Sequence, residues 1–391
     1  MSHMLQRSLH DDRTLDNYTS PRQWSQVNED LKKFVESYSP NGLPPYINKD
    51  NIYIMDHVPA TTERMSLKYR FYMKFLFPVE LLWKAGSQLN EFRHKRNLSI
   101  WETTPNTKIR NSLKISNNLF GTEQARPLGP LVEMVGPIFN AVYDPLPLHI
   151  EHFLDQHQRV LFVAFGQHTS AKEHETKQLL AMLLHMQETH LIDGFIWGSG
   201  LSHLPKIVST PSGNIYNVTH LLGQQHPNVR LLHWAPQFAI LKHPSVITFL
   251  THGGGMSLFE ALHAGKRTII RPFFYDQPAN AFHFEHTQLG GYLNMDDHNG
   301  ALETFRRVIE DTDNVIQKNV DRYQALFQIH AQRGVDRGAD LVEEVLFTSV
   351  GDGQLPHRRD VANNISFLKA NDYDLKMEEF VVKHSPRCLS C

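Results

Sequence analysis

Between Leu250 and Gln277 the residue types and their spacing suit an anionic ligand that also carries hydroxyls. An apolar run ends at Leu250 and is followed by Thr251-His252-Gly253-Gly254-Gly255, then Met256, Ser257 and a helix-like stretch to Ala264. Glycines allow a tight turn and a close backbone approach to a ligand. The first turn of the helix that follows offers unpaired N–H groups and the positive end of its dipole. His252 and Ser257 add side-chain donors. Glu260 lies three residues after Ser257, so both share one helix face. A carboxylate there can accept two hydroxyls, as a ribose supplies. Asp276-Gln277 follows the carboxyl end of the next apolar run, a ligand-facing place in an open α/β sheet. Each residue also has a plainer reading: Ser257 and Glu260 as a helix cap, Trp234 as a core residue rather than a platform for a base.

The elements that position these residues are legible from about Arg159 onward. Short runs, nearly continuous in apolarity, recur at 160–165 (VLFVAF), 194–198 (GFIWG), 229–234 (VRLLHW), 245–252 (SVITFLTH), 267–273 (RTIIRPF) and 291–295 (GYLNM). Strands buried on both faces read this way. Between the first two runs, Ser170 and Glu173 form a capping-box pattern ahead of apolar residues at helical spacing. Strands alternating with helices imply a parallel, doubly wound α/β domain. After Asp296 three amphipathic helical segments follow, at 301–311, 314–334 and 339–349. The first 150 residues differ. They hold helical patterns at 24–35 and 65–91, the latter rich in aromatics from Tyr69 to Trp83, and strand-like runs at 51–55, 112–116 and 132–136. A proline-rich connection from Pro137 to Pro147 precedes the regular domain. The expected division is therefore 1–150, 151–350 and a polar tail at 351–391.

Bulk properties exclude several classes. A formal charge of −2 gives no electrostatic reason to capture nucleic acid. The 24 histidines are scattered, and pairs such as His149 and His152 lack the second cluster that a metal site needs. Cys388 and Cys391 are the only cysteines, so no disulfide framework organises the chain. No apolar run approaches the ~18–20 residues that cross a bilayer. The polar opening MSHMLQRSLHDDR does not read as a secretory signal, which leaves a cytoplasmic or membrane-peripheral location by default. GQHTSA at 166–171 does not match the dinucleotide fingerprint of an oxidoreductase.

Taken together, the residues at 234–281 resemble the donor-binding signature of the UDP-glycosyltransferase superfamily. The matching positions are Trp234-Ala-Pro236-Gln237, His243-Pro244, Thr251-His252-Gly253-Gly254, Ser257-Leu-Phe-Glu260-Ala261, Gly265, and Asp276-Gln277 with Asn280. VLFVAFG, ending at Gly166, resembles that family's first C-domain strand, and RRDVANNISFLK at 358–369 resembles the last helix of fungal members. The resemblance implies a GT-B fold and a UDP-sugar donor. It implies an inverting, metal-independent transfer of a hexose to a hydroxyl of a lipid or other small acceptor, with no cofactor. Trp234 would stack on the uracil, with Gln237 beside the uracil and ribose. Glu260 would hold the ribose hydroxyls. His252, Gly254 and Ser257 would hold the diphosphate, helped by backbone N–H groups at Gly166 and Gln167. Asp276 and Gln277 would bond the sugar. Asp311-Thr-Asp313 and Asp372-Tyr-Asp374 match the metal-binding pattern of another transferase class, and their place beside helices reads instead as caps or turns.

The chain departs from the family in three places. Met256 stands where many members carry Asn, which predicts one fewer polar contact near the phosphates. Gln167-His168 follows Gly166 where plant members carry Ser. The family's opening strand, with the loop holding a general-base His, has no counterpart in the first 50 residues. The expectation is a chain that starts midway through the N-domain, with no catalytic residue to nominate. The alternative function is a donor-binding remnant or partner-dependent subunit, which alone would turn over poorly.

Overall fold

The computed structural model describes residues 113–119, 121–122, 130–139 and 143–358, except 168, 170, 199–200, 202, 274–275 and 352–353, together with 94–95, 366 and 369. The helices expected at 24–35 and 65–91, the strand at 51–55 and the Asp372-Tyr-Asp374 turn lie outside the described residues.

The six apolar runs form one parallel sheet. Its strands are β3 (Val160–Ala164), β4 (Gly194–Trp197), β7 (Val229–Leu231), β8 (Val246–Thr251), β9 (Arg267–Ile270) and β10 (Gly290–Tyr292). The spatial order is β10-β9-β8-β3-β4-β7. The chain therefore starts at the sheet's centre, winds outward through β4 to β7, returns to β8 beside β3, and winds outward again. That reversal puts a switch-point crevice between the carboxyl ends of β3 and β8.

Both faces of the sheet are covered, which is why its strands are apolar without alternation. Along β3, Leu161, Val163 and Phe165 enter one core, while Val160, Phe162 and Ala164 enter the other. The first core is closed by α2 (Glu173–Glu188), α6 (Gln277–His286) and α7 (His298–Glu310). The second is closed by α1 (Leu148–Asp155) and α4 (Gln237–Lys242). Two further helices follow, α8 (Val315–Ala331) and α9 (Gly334–Thr348), so the three helical segments expected after Asp296 are present. Asp311 caps α8 by accepting the Ile316 N–H at 3.0 Å and the Gln317 N–H at 2.7 Å, the capping role its position suggested.

Two details depart from the sequence reading. Helix α2 begins at Glu173 with Lys172 as its N-cap, and Glu175 Oε2 accepts the Lys172 N–H at 2.8 Å. The capping motif expected at Ser170 and Glu173 is thus displaced along the chain. Glu173 and Glu175 both lie in the first turn, and spacing alone does not say which one turns back. Between β4 and β7 the structure also contains an antiparallel hairpin, β5 (Ile207–Ser209) and β6 (Ile215–Asn217), followed by the short helix α3 (Val218–Leu222). Glu188, at the end of α2, binds this hairpin through Thr210, Asn214 and Tyr216, all on Oε1 at 2.8–3.0 Å. The hairpin strands expose their ends and bury fully only Val208, so they show no buried-strand pattern.

Before the sheet, the strand-like runs expected at 112–116 and 132–136 contain β1 (Lys114–Ser116) and β2 (Val132–Met134), which pair in parallel. Arg358, in the turn that follows α9, ties that segment to them through Glu133 Oε1 and the Pro130 carbonyl, both at 2.9 Å.

Candidate functional site

The glycine run after β8 opens helix α5 (Gly255–His263), with Gly254 as its N-cap. Gly253 has φ +89°, a left-handed conformation that L side chains rarely adopt, and this turns the chain out of the sheet. The first intrahelical bond runs from Leu258 N–H to the Gly254 carbonyl at 3.1 Å. The N–H groups of Gly255, Met256 and Ser257 precede it and face the crevice end of the helix.

His252 is lodged between the two glycine loops. A Cβ at Gly166 would stand 3.1 Å from its Cε1, and one at Gly254 would stand 2.4 Å from its Nε2. The imidazole thus occupies the place that side chains at those positions would take. Gly166, His252 and Gly254 come from two strands adjacent at the switch point, and the fold brings them together as the motif reading requires.

Gln237, the first residue of α4, joins the second group. Its Nε2 donates to Glu260 Oε2 at 2.6 Å and to Ser257 Oγ at 3.1 Å. Three residues of the motif from two elements are therefore one hydrogen-bonded unit. Burial pushes the Glu260 carboxyl above its ordinary value, and the Gln237 hydrogen bond offsets part of that rise. Trp234 remains 60% exposed beside them. Trp234, Gln237 and Glu260 line a cleft of about 420 Å³ whose other wall is aromatic: Phe139, Tyr143 and Phe238. Phe139 stacks on Phe238 at 5.7 Å, and Tyr143 meets Phe238 edge-on at 5.0 Å.

A third group forms at the start of α6. Asn280 Nδ2 donates to Asp276 Oδ2 at 3.0 Å and to the Gly253 carbonyl at 2.9 Å, which links the loop between β9 and α6 to the glycine turn. Gln277 is buried, and its Oε1 accepts the Phe273 N–H at 2.8 Å. Asp276 and Gln277 thus organise their own loop. Gln167 is exposed at the edge of the crevice.

Sequence reasoning missed the contributions that arrive from before residue 150. Phe139 and Tyr143 wall the cleft from the proline-rich connection. Asn117 lies beside the position occupied by Met256: its Nδ2 is 3.6 Å from Met256 Sδ, and its Oδ1 accepts the Ile138 N–H at 2.7 Å. An amide therefore stands near the start of α5, although it comes from a different element. No periodicity or spacing in the chain signals that contact, since its partners are 139 residues apart. Among the described residues no group of His, Cys, Asp or Glu is arranged to hold a metal ion, and no helix is long and apolar enough to cross a membrane.

The raised Glu260 carboxyl has a measurable consequence. On the expectation that Glu260 holds a ribose, protonation removes a charged acceptor, so affinity for uridine, which has no phosphate to titrate, should fall on acidification. The fall begins above the usual carboxylate range of about 4.3. Glu260→Gln abolishes this dependence. An NMR titration of uridine from about pH 7 to pH 4.5 checks it, and a pH-independent affinity in the parent chain contradicts it.

A crevice of this kind, at a switch point with a helix N-terminus and a hydroxyl acceptor, is what a nucleotide-binding α/β domain presents. A model of the family described as UDP-glucoronosyl and UDP-glucosyl transferase matches residues 56–367, and the chain belongs to that family. The UDP-glycosyltransferase stmC of Aspergillus ustus is 30% identical over 292 residues, which cover 67% of this chain and 53% of that relative. UDP-glucuronosyltransferase 3A2 of Mus musculus is 32% identical over 198 residues, covering 50% of this chain and 35% of that relative. Among solved structures, a UDP-glucose: anthocyanidin 3-O-glucosyltransferase in complex with UDP aligns at a TM-score of 0.43 and 22% identity, over 54% of this chain and 48% of that chain. The chain spans about half the length of the fungal relatives it matches, 53% of stmC for example.

Proposed function

We propose that the chain binds a UDP-sugar in the switch-point crevice and serves transfer of its hexose to a hydroxyl of a small or lipid acceptor. The observation that carries this reading is the Gln237 amide, which joins Ser257 and Glu260 in one unit beside the exposed Trp234. In this reading Trp234 stacks on the uracil and Glu260 accepts the ribose hydroxyls. The diphosphate lies at the N-terminus of α5 with His252 and Ser257. Asp276 and Gln277 face the sugar across the loop that Asn280 ties to Gly253.

The reaction is inverting. The acceptor oxygen attacks the anomeric carbon opposite the leaving group, the bond from that carbon to the β-phosphate oxygen breaks, and the acceptor proton passes to a base. UDP leaves carrying the charge, which the α5 N–H groups and His252 stabilise without a metal ion. Membership of the UDP-glycosyltransferase family and the names of the fungal relatives support the donor. The aromatic wall formed by Phe139, Tyr143 and Phe238 suits a flat or apolar group.

Calorimetric titration tests the donor and metal assignments together. UDP should bind, and EDTA or added magnesium should change its affinity by no more than about twofold, since no step uses a cation. Absence of UDP binding refutes the donor reading, and a strict metal requirement refutes the metal-free one. Released UDP, measured across phenolic and sterol-like acceptors, tests the transfer and the acceptor class.

A further inference from the structure

We infer that Arg271 is a positioning residue for the donor site, a buried cation that holds the diphosphate-side and sugar-side loops in register. The inference rests on the donor reading above. Arg271 follows β9 directly, where its N–H donates to the Thr251 carbonyl at 2.9 Å, and it is 5% exposed. Its Nη2 pairs with Glu175 Oε2 at 3.2 Å. Its guanidinium carbon lies 4.5 Å from the Phe273 ring centroid and 5.9 Å from that of Phe165, and those two rings meet edge-on at 5.5 Å.

Each partner governs one loop. Phe165 immediately precedes Gly166. Glu175 also accepts the Lys172 N–H at 2.8 Å and so fixes where the β3–α2 loop enters its helix. Phe273 leads into Asp276, and its N–H is held by Gln277 at 2.8 Å. One guanidinium thus joins the loop carrying Gly166 and Gln167 to the loop carrying Asp276 and Gln277. Trp234, Gln237 and Glu260 stand on other elements.

Stability alone does not account for a cation here. Its Nη1 is buried without a hydrogen-bond partner. Taking a guanidinium out of water is costly, and a well-packed apolar side chain in such a place is often neutral or stabilising. What an apolar side chain cannot supply is a directional link between the two loops.

The division of the site makes the inference testable. Uridine needs only the Trp234, Gln237 and Glu260 group, whereas UDP must also span the loops that Arg271 joins. Uridine and UDP are titrated into the full chain and into its Arg271→Met, Arg271→Lys and Glu175→Gln variants. Arg271→Met should weaken UDP by about tenfold or more and leave uridine within about twofold. Glu175→Gln should lower the UDP-to-uridine affinity ratio in the same direction, and Arg271→Lys should recover part of the loss. An unchanged UDP affinity in Arg271→Met, or equal losses for both ligands, overturns the inference. Where Arg271→Met shows no thermal transition, Glu175→Gln decides: an unchanged ratio overturns it, and a lowered ratio upholds it. Failure of the parent chain to bind either ligand overturns the donor reading and the inference with it. A parent that binds both, with variants that behave like it, overturns the inference alone.

Discussion

Glu260→Ala lowers affinity for UDP by about 1–3 kcal/mol, or roughly 5- to 150-fold. The size follows from what the carboxylate does. In the free protein it accepts Gln237 Nε2 at 2.6 Å, and burial already raises its pKa, so its charge is held at a cost. In the proposed donor site two ribose hydroxyls would offset that cost through charge-assisted bonds. Removing the carboxylate would leave those hydroxyls without their acceptor and would leave the Gln237 amide with Ser257 Oγ alone of its two partners. Glu260→Gln keeps the volume but not the charge, and it should fall between the parent and the alanine variant. Calorimetry on the three proteins decides the matter. An alanine variant that binds UDP like the parent would falsify the assignment of Glu260 to the ribose.

The second large effect is expected from adding one methyl group. Gly254→Ala places a Cβ 2.4 Å from His252 Nε2, closer than real Cβ atoms come, so the imidazole must leave its place between the two glycine loops. Gly254 has φ −64° and ψ 137°, a conformation alanine adopts without strain. Stability should therefore fall by no more than about 1 kcal/mol, the usual scale for an unfavourable N-cap. UDP affinity should fall by about tenfold or more, because in the proposed donor site a phosphate contact and the helix end would be disturbed together. Gly253→Ala makes the control. With φ +89° and Ile270 Cγ2 at 2.6 Å from the added Cβ, it should destabilise the fold itself. Thermal melts with UDP titrations separate the two cases, and a Gly254→Ala chain that binds UDP normally would remove His252 and Gly254 from the diphosphate site.

Much of the candidate site is legible in the sequence because its residues are local in the chain. Ser257 and Glu260 share a helix face by the 3.6-residue period, and His252 to Gly255 form a single turn. The contacts across elements were less accessible. The Gln237 link to Glu260 spans 23 residues, and the Asn280 link to Gly253 spans 27. The motif named all four residues, but their union depends on how two crossovers stack on one sheet. The hairpin at Ile207–Asn217 escaped because Val208 is the only fully buried residue of its two strands, so no unbroken apolar run marks it. The Arg271–Glu175 pair escaped because a charged residue at the end of an apolar run reads as a strand terminus, and its burial depends on Phe165 and Phe273 meeting over it.

By itself the sequence determined the parallel α/β domain and the donor motif. Unbroken apolar runs must be buried on both faces, and a glycine turn before a helix must expose N–H groups whatever surrounds it. It determined family membership for the same reason: ordered residue types at fixed spacing are a linear property. Tertiary structure alone decided which side chains complete the crevice. Asn117 reaches Met256, Phe139 and Tyr143 wall the cleft, and Arg271 bridges two loops, each across a separation in which the chain's own periodicities carry no information. Those contacts are set by sheet order, since the return of β8 to the side of β3 brings the separate loops to one crevice.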